Sequence, residues 1–179
     1  MLKELCATLL VLCNPILSGF DFDYEKDDKD RFVQGIAECT IKYNTDINPF
    51  ERVIVVISVA QAIIESNWGE SRFAREANNF YGIIQTDRTE PHIKSLRGKA
   101  LLKVYNNKCE SGDYIELLNG SEYFKEYRDI RAKQVITEEV DILAVIKSLD
   151  SYATDPKYTG KVKDVVNSLL EDYPLLFNP

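Results

Sequence analysis

Apolar residues recur along this chain in more than one rhythm, and each predicts a different element. From residue 31 onward Phe32, Ile36, Cys39 and Tyr43 stand four, three and four apart, the period of one helix face. The stretch "NTDINPF" ends that period, with Pro49 biasing Asn48 away from the helical region. Residues 53–64, "VIVVISVAQAII", are then almost wholly apolar, and eight of them are valine or isoleucine. Those residue types favour strands. With its flanks, however, the run is too long for a typical strand, and Ala60-Gln61-Ala62 is good helix material. We read it as a helix apolar on every side, hence central and buried, with Gly69 suited to its end. A short helix over 71–77 follows, and Asn78 and Asn79 suit a left-handed turn that stops it.

From residue 83 to 98 polar and turn-forming residues dominate. "KALLKVYNNK" (99–108) then reads as a strand closed by an Asn-Asn turn, in the one region of expected β-structure. Helices resume over 114–118, 122–131 and 138–152, the last with Ile142, Val145, Ile146, Leu149 and Tyr152 in period. After the loop "ATDPKYTG", Val162, Val165, Val166, Leu169 and Leu170 place a final helix over 161–172. The pattern predicts a mainly α, α+β single domain with a central buried helix and a small β-containing lobe after it.

Composition narrows the partners. At 179 residues the chain fits one domain with room for an N-terminal extra. A net charge of −7 argues against nucleic acid as the main partner and says little about a neutral glycan. "MLKELCATLLVLCNPILSG" has a lysine near its start and an apolar run from Leu5 to Leu17, too short to span a bilayer but suited to a signal peptide. Glu4 and Leu17 depart from the ideal pattern. We expect a leader over 1–19, an acidic linker over 20–30 and one domain over 31–179. An exported monomer of the periplasm or cell envelope follows, without stable membrane insertion. A cytoplasmic role is the alternative if 1–19 is not a signal.

Cys39 and Cys109 remain outside the leader, and we read them as two separate buried thiols, a disulfide being the alternative. His92 is the only histidine and no CxxC occurs, so neither a metal nor a cofactor is expected. The chemistry is left to carboxylates, tyrosines and amides.

One carboxylate stands out. Glu65 ends the apolar run, in "ESNWG" (65–69). Desolvation and the negative end of the helix dipole both disfavour its charged form there. Trp68, folded back, would remove more water. A glutamate kept protonated near neutral pH is what a general acid requires. The plain alternative is an exposed helix-end glutamate with Trp68 in the core.

The segment around it, "AQAIIESNWGESRFAREANNFYGI" (60–83), resembles the bacterial glucosaminidase domain, glycoside hydrolase family 73, which is mannosyl-glycoprotein endo-β-N-acetylglucosaminidase-like. It has the look of that family's Bax-type branch. The matching elements are Ala60-Gln61-Ala62, Glu65-Ser66, Trp68-Gly69, Ser71-Arg72-Phe73-Ala74 and Asn78-Asn79, with Phe80-Tyr81 in place of the family's Leu-Phe before Gly82. "YIELLN" (114–119), "YFKEYRDIRAK" (123–133) and "LDSYATDPKYTGKV" (149–162) are similar to later family segments in the same order.

The resemblance implies a lysozyme-like fold and cleavage of β-1,4 bonds in peptidoglycan glycan strands. It implies Glu65 as the catalytic acid and Tyr152 as a tyrosine lining the cleft, able to orient a water. Trp68, Asn79, Tyr81 and Tyr158 form the expected substrate-binding set, with Arg72 in support. Core packing for Tyr81 and Tyr152, a turn role for Asn79 and a surface ion pair for Arg72 are the alternatives. A second carboxylate would come from the β-lobe, where Glu90 in "TDRTEPHIK" is the candidate, with Asp87 and Glu110 nearby. Without it, Glu65 would work alone with the substrate's acetamido group. A lytic transglycosylase and a non-catalytic glycan-binding module are the rival functions.

Overall fold

The computed structural model describes residues 29–177 apart from positions 97 and 111, so the expected leader and most of the expected linker lie outside the described residues. Helix α1 (Lys29–Thr45) buries Phe32, Val33, Ile36 and Cys39 along the anticipated face. Helix α2 (Val55–Ser66) is the centre of the molecule, packed between α1 and α7 (Tyr158–Asp172). Every residue from Val56 to Ile63 is buried. The valines and isoleucines fit a helix here because burial on all sides outweighs their preference for strands.

The helix ends earlier than Gly69. Asn67 is its C-cap at φ 53°, and Trp68 (φ 57°) and Gly69 (φ 80°) continue in the left-handed region. The Ser66 hydroxyl donates to the Ala62 carbonyl at 2.6 Å and accepts from the Gly69 N–H at 2.9 Å, which holds this turn. Helix α3 (Arg72–Ala77) follows as expected, with Ser71 capping its start and Asn78 (φ 50°) its end.

The β-lobe is smaller than its sequence suggests. Strand β1 (His92–Lys94) pairs antiparallel with β2 (Leu101–Lys103), His92 opposite Lys103, and Ile84 bridges to Leu102. The expected strand over 99–108 shrinks to three residues, and β1 arises inside the segment read as polar and turn-rich. Three residues offer no alternation to read.

Helix α4 (Gly112–Gly120), a 3₁₀ turn (Glu122–Phe124) and α5 (Lys125–Thr137) complete one side. The single helix expected over 138–152 is broken. Glu138 (φ 59°) ends α5, and Asp141 accepts the Ala144 N–H at 3.0 Å to start α6 (Ile142–Lys147). A 3₁₀ turn (Asp150–Tyr152) then carries Tyr152. Helix α7 begins at Tyr158, three residues before the expected start, and the short α8 (Pro174–Phe177) packs against it.

Cys39 and Cys109 form a disulfide with a Cα–Cα distance of 5.2 Å, which corrects the reading of two separate thiols. Their periodicity and spacing carried no sign of it, because the approach is made by folding the segment after β2 against α1. Among the described residues no helix is long and apolar enough to cross a membrane.

Candidate active site

Glu65 stands on the last turn of α2, half-buried, where three parts of the chain converge. Burial pushes its carboxyl above the usual carboxylate range, and a hydrogen bond from Tyr158 and the charge of Lys161 pull it part of the way back. Gly82 comes close from the other side. A Cβ there would lie 3.4 Å from Glu65 Oε2, and its φ of +67° belongs to the left-handed region. An added Cβ would make ordinary van der Waals contact with Glu65, so it is the left-handed backbone that favours glycine here.

Tyr158 opens α7 and is buried. Its hydroxyl accepts from Gln61 Nε2 at 2.9 Å, and burial together with the charge of Glu65 pushes its phenol up. Its ring stacks on Tyr152 at 5.6 Å and an interplanar angle of 9°. Tyr152 donates its hydroxyl to the Tyr81 carbonyl at 2.9 Å. Burial first, and then the neighbouring tyrosine and Glu65, hold the Tyr152 phenol well above its ordinary value. With its proton committed to Tyr81, Tyr152 can only accept a hydrogen bond from a water. Beside Tyr158 lies an open recess of about 190 Å³ lined by Asp150, Thr154, Asp155 and Thr159. Asp155 pairs with Lys161 at 2.7 Å, and that hydrogen bond lowers its carboxyl, so it is held as the anion.

The remaining expected site residues fall elsewhere. Asn79 is buried, and its amide donates to the carbonyls of Ile83 (2.9 Å) and Lys103 (3.0 Å) and accepts the Ile83 N–H (2.9 Å). It joins the loop before the β-lobe to β2, and every one of these bonds faces inward. Tyr81 is also buried, with its hydroxyl 2.8 Å from Ser58 Oγ and its ring stacked on Tyr114 at 4.0 Å. Burial pushes its phenol up to about 12. The inward hydrogen bonds of both side chains match the alternatives of a turn role for Asn79 and core packing for Tyr81. These side chains hold the Tyr81-Gly82 backbone in place beneath the acid.

Trp68 is half-buried. The three left-handed residues 67–69 turn its ring toward α1, where it meets Phe32 edge-on at 6.4 Å and lies 4.6 Å under Lys29 Nζ. There it lines a groove of about 500 Å³ with Val165 and Leu169. The fold-back over Glu65 gives way to this packing. Arg72 links α3 to the β-lobe, donating to the Lys94 carbonyl and pairing with Glu76 at 2.9 Å.

Glu90 is exposed on the turn that leads into β1, its N–H donating to Asp87 and its carbonyl 2.8 Å from His92 Nδ1. Tyr158 and Lys161 are the side chains whose bond and charge lower the Glu65 carboxyl against its burial. Gln61, Gly82 and Lys161 were not assigned roles from sequence. Gln61 and Gly82 lay inside the motif, and only contacts across the fold distinguish them.

Comparison with known proteins places the chain in a family. The sequence model of the glucosaminidase family (mannosyl-glycoprotein endo-beta-N-acetylglucosaminidase) matches residues 41–171. The exo-glucosaminidase LytG of Bacillus subtilis is 31% identical over 68% of this chain and 46% of its own length. A putative endo-beta-N-acetylglucosaminidase of Streptococcus pneumoniae is 26% identical over 63% of this chain and 14% of its own. The chain thus spans less than half the length of either relative. The catalytic domain of the autolysin Auto from Listeria monocytogenes superposes with a TM-score of 0.59 over 98% of this chain and 97% of that one, at 20% identity. An N-acetylmuramoyl-L-alanine amidase structure from Staphylococcus aureus gives 0.58 at 27% identity, over 86% of this chain and 44% of the other. The sequence match takes in Glu65, Gly82, Tyr152 and Tyr158 together, and the shared fold is lysozyme-like α+β. By the family-model match over residues 41–171 the chain belongs to the glucosaminidase family of glycoside hydrolases.

Proposed function

We propose that this protein cleaves β-1,4 bonds in peptidoglycan glycan strands as an N-acetylglucosaminidase of the endo type, with Glu65 as general acid. The observation that carries the reading is a desolvated glutamate with its carboxyl raised, acted on by Tyr158, which lines an open recess. Family membership supports the reaction class, and the named relatives include both exo and endo enzymes. In the proposed step the Glu65 proton passes to the glycosidic oxygen as the C1–O bond breaks. Water adds its oxygen to C1 and gives its proton to a base. Glu90, exposed on the turn that leads into β1, is the proposed base. Tyr152 accepts a hydrogen bond from that water and so orients it.

Purified Glu65→Gln should lose roughly 10²–10⁴-fold in turnover on murein, with its circular dichroism unchanged. Wild-type activity in that variant would refute the acid. Glu90→Gln should fall by a similar factor if Glu90 is the base. Product lengths separate endo from exo cleavage.

A second reading needs no second carboxylate. One acid alone suffices for a lytic transglycosylase, in which the sugar's own hydroxyl replaces water. Anhydro-muramyl ends in the mass spectrum would establish it, and reducing N-acetylglucosamine ends would exclude it. A glycan-binding module without turnover predicts affinity for peptidoglycan and no products.

We also propose that the protein is a monomer exported by a leader over 1–19 and an acidic linker over 20–30. The disulfide supports an oxidising compartment. N-terminal sequencing of the mature chain checks the cleavage point.

A further inference from the structure

Gln61 is the long polar side chain on the part of α2 that is buried on all sides, and it is itself completely buried. A buried amide requires partners. Tyr114 donates its hydroxyl to Gln61 Oε1 at 2.7 Å, and Gln61 Nε2 donates to the Tyr158 hydroxyl oxygen at 2.9 Å. Tyr158 in turn meets Glu65. Three side chains from three helices, α4, α2 and α7, are thus joined by hydrogen bonds, and the line ends beside Glu65, one turn on from Gln61 along α2.

The direction of that line is set at its outer end. An ionised carboxylate only accepts, so Tyr158 must give it the one proton a phenol has. The Tyr158 oxygen is then left to accept, and Gln61 Nε2 fills it. With Nε2 so placed, Oε1 faces Tyr114, which donates. A reversed amide would set Oε1 against Tyr158 and draw its proton away from Glu65.

We propose that Gln61 is a positioning residue for the acid: it holds Tyr158 as a donor toward Glu65. When Glu65 is protonated, its proton then resides on the carboxyl oxygen that Tyr158 does not occupy. A neutral Glu65 cannot point its proton at Tyr158, because the Tyr158 proton would have to turn toward the Gln61 N–H. The acidic proton is kept for the glycan. Neighbouring bonds in such a line also strengthen one another, so Gln61 makes Tyr158 a better donor. The inference rests on Glu65 being the catalytic acid.

The groups facing Glu65 are Tyr158 and Lys161 from α7 and Tyr152 from the turn before it, and Lys161 is shared with Asp155. The Tyr158 bond favours the ionised form of Glu65. Weakening it should let Glu65 keep its proton to higher pH. Gln61→Met keeps the side-chain length and removes both hydrogen bonds. The alkaline limb of kcat/KM should then move to higher pH, and turnover should drop by up to roughly 100-fold as the proton loses its fixed place. Tyr158→Phe should move the limb in the same direction. In the Tyr158→Phe background Gln61→Met should change neither quantity.

An unmoved limb in Gln61→Met, or losses that simply add in the double variant, would overturn the proposal. If Gln61→Met does not fold, Tyr114→Phe removes the donor to Oε1 and should shift the limb the same way by less. No shift there overturns it equally. Carbon-13 titration of the labelled Glu65 carboxyl follows the same change without substrate. A failure of the glycosidase reading, seen as turnover by Glu65→Gln, is thereby separated from a failure of the Gln61 reading.

Discussion

Reducing the Cys39–Cys109 disulfide should cost the fold about 4 kcal/mol. The bond closes a loop of 70 residues that contains α2, α3 and both strands. Releasing a loop of that length returns about 15 cal/mol/K of entropy to the unfolded chain in the chain-entropy treatment, or about 4 kcal/mol at 25 °C. Cys39 is buried, so reduced thiols leave its packing intact and the loss falls on the unfolded state. Urea unfolding of the oxidised and reduced protein, extrapolated to water, measures the difference. The m value should rise on reduction, because the unlinked chain exposes more surface. The melting temperature should fall by roughly 10 °C, at 2–4 °C per kcal/mol for a chain of this size. Equal stabilities of the two forms would refute the argument. The family match starts at residue 41, so one end of this bond lies outside it. Family membership alone does not supply the link.

Two further outcomes test the acid's surroundings. Because folding raises the Glu65 carboxyl, the folded state holds that proton more tightly than the unfolded chain. The group's contribution to stability is full below the ordinary glutamate range and is lost as pH rises through the raised value. Glu65→Gln should therefore be more stable than wild type at pH 8 and no more stable at pH 3, and equal urea midpoints at pH 8 would sink this account. Gly82→Ala places a Cβ 3.4 Å from Glu65 Oε2 at a positive φ. It should cost about 1–2 kcal/mol in stability and lower turnover as the carboxyl shifts. Unchanged turnover alongside the stability loss would show that the carboxyl gives way freely.

Much of this molecule was legible along the chain, and the reasons differ by element. The run over 53–64 announced a buried helix because its length ruled out a strand, although its residue types argued for one. Ser71 and Asn78 marked the ends of α3 through capping chemistry that is local and needs no tertiary context. Glu65 was identifiable because a carboxylate at the end of an apolar helix is already a conflict between charge and burial. By contrast β1 is too short to show a pattern, and the break between α5 and α6 depends on a left-handed Glu138, which no rule for glutamate would supply.

At the candidate site, the sequence by itself singled out Glu65, the tyrosines near it and the order in which they arrive. Tertiary structure decided what each does, because hydrogen-bond direction and burial are properties of pairs far apart in sequence. Gln61 and Tyr158 are 97 residues apart, and Tyr152 and Tyr81 are 71 apart. Asn79 and Tyr81 turn inward because folding pairs their polar atoms with the loop, β2 and Ser58. Trp68 leaves the acid because three left-handed residues aim it at α1. The cysteines pair because α1 and the segment after β2 meet. Local chemistry named the participants, and only the packing of α1, α2 and α7 with the β-lobe assigned their partners.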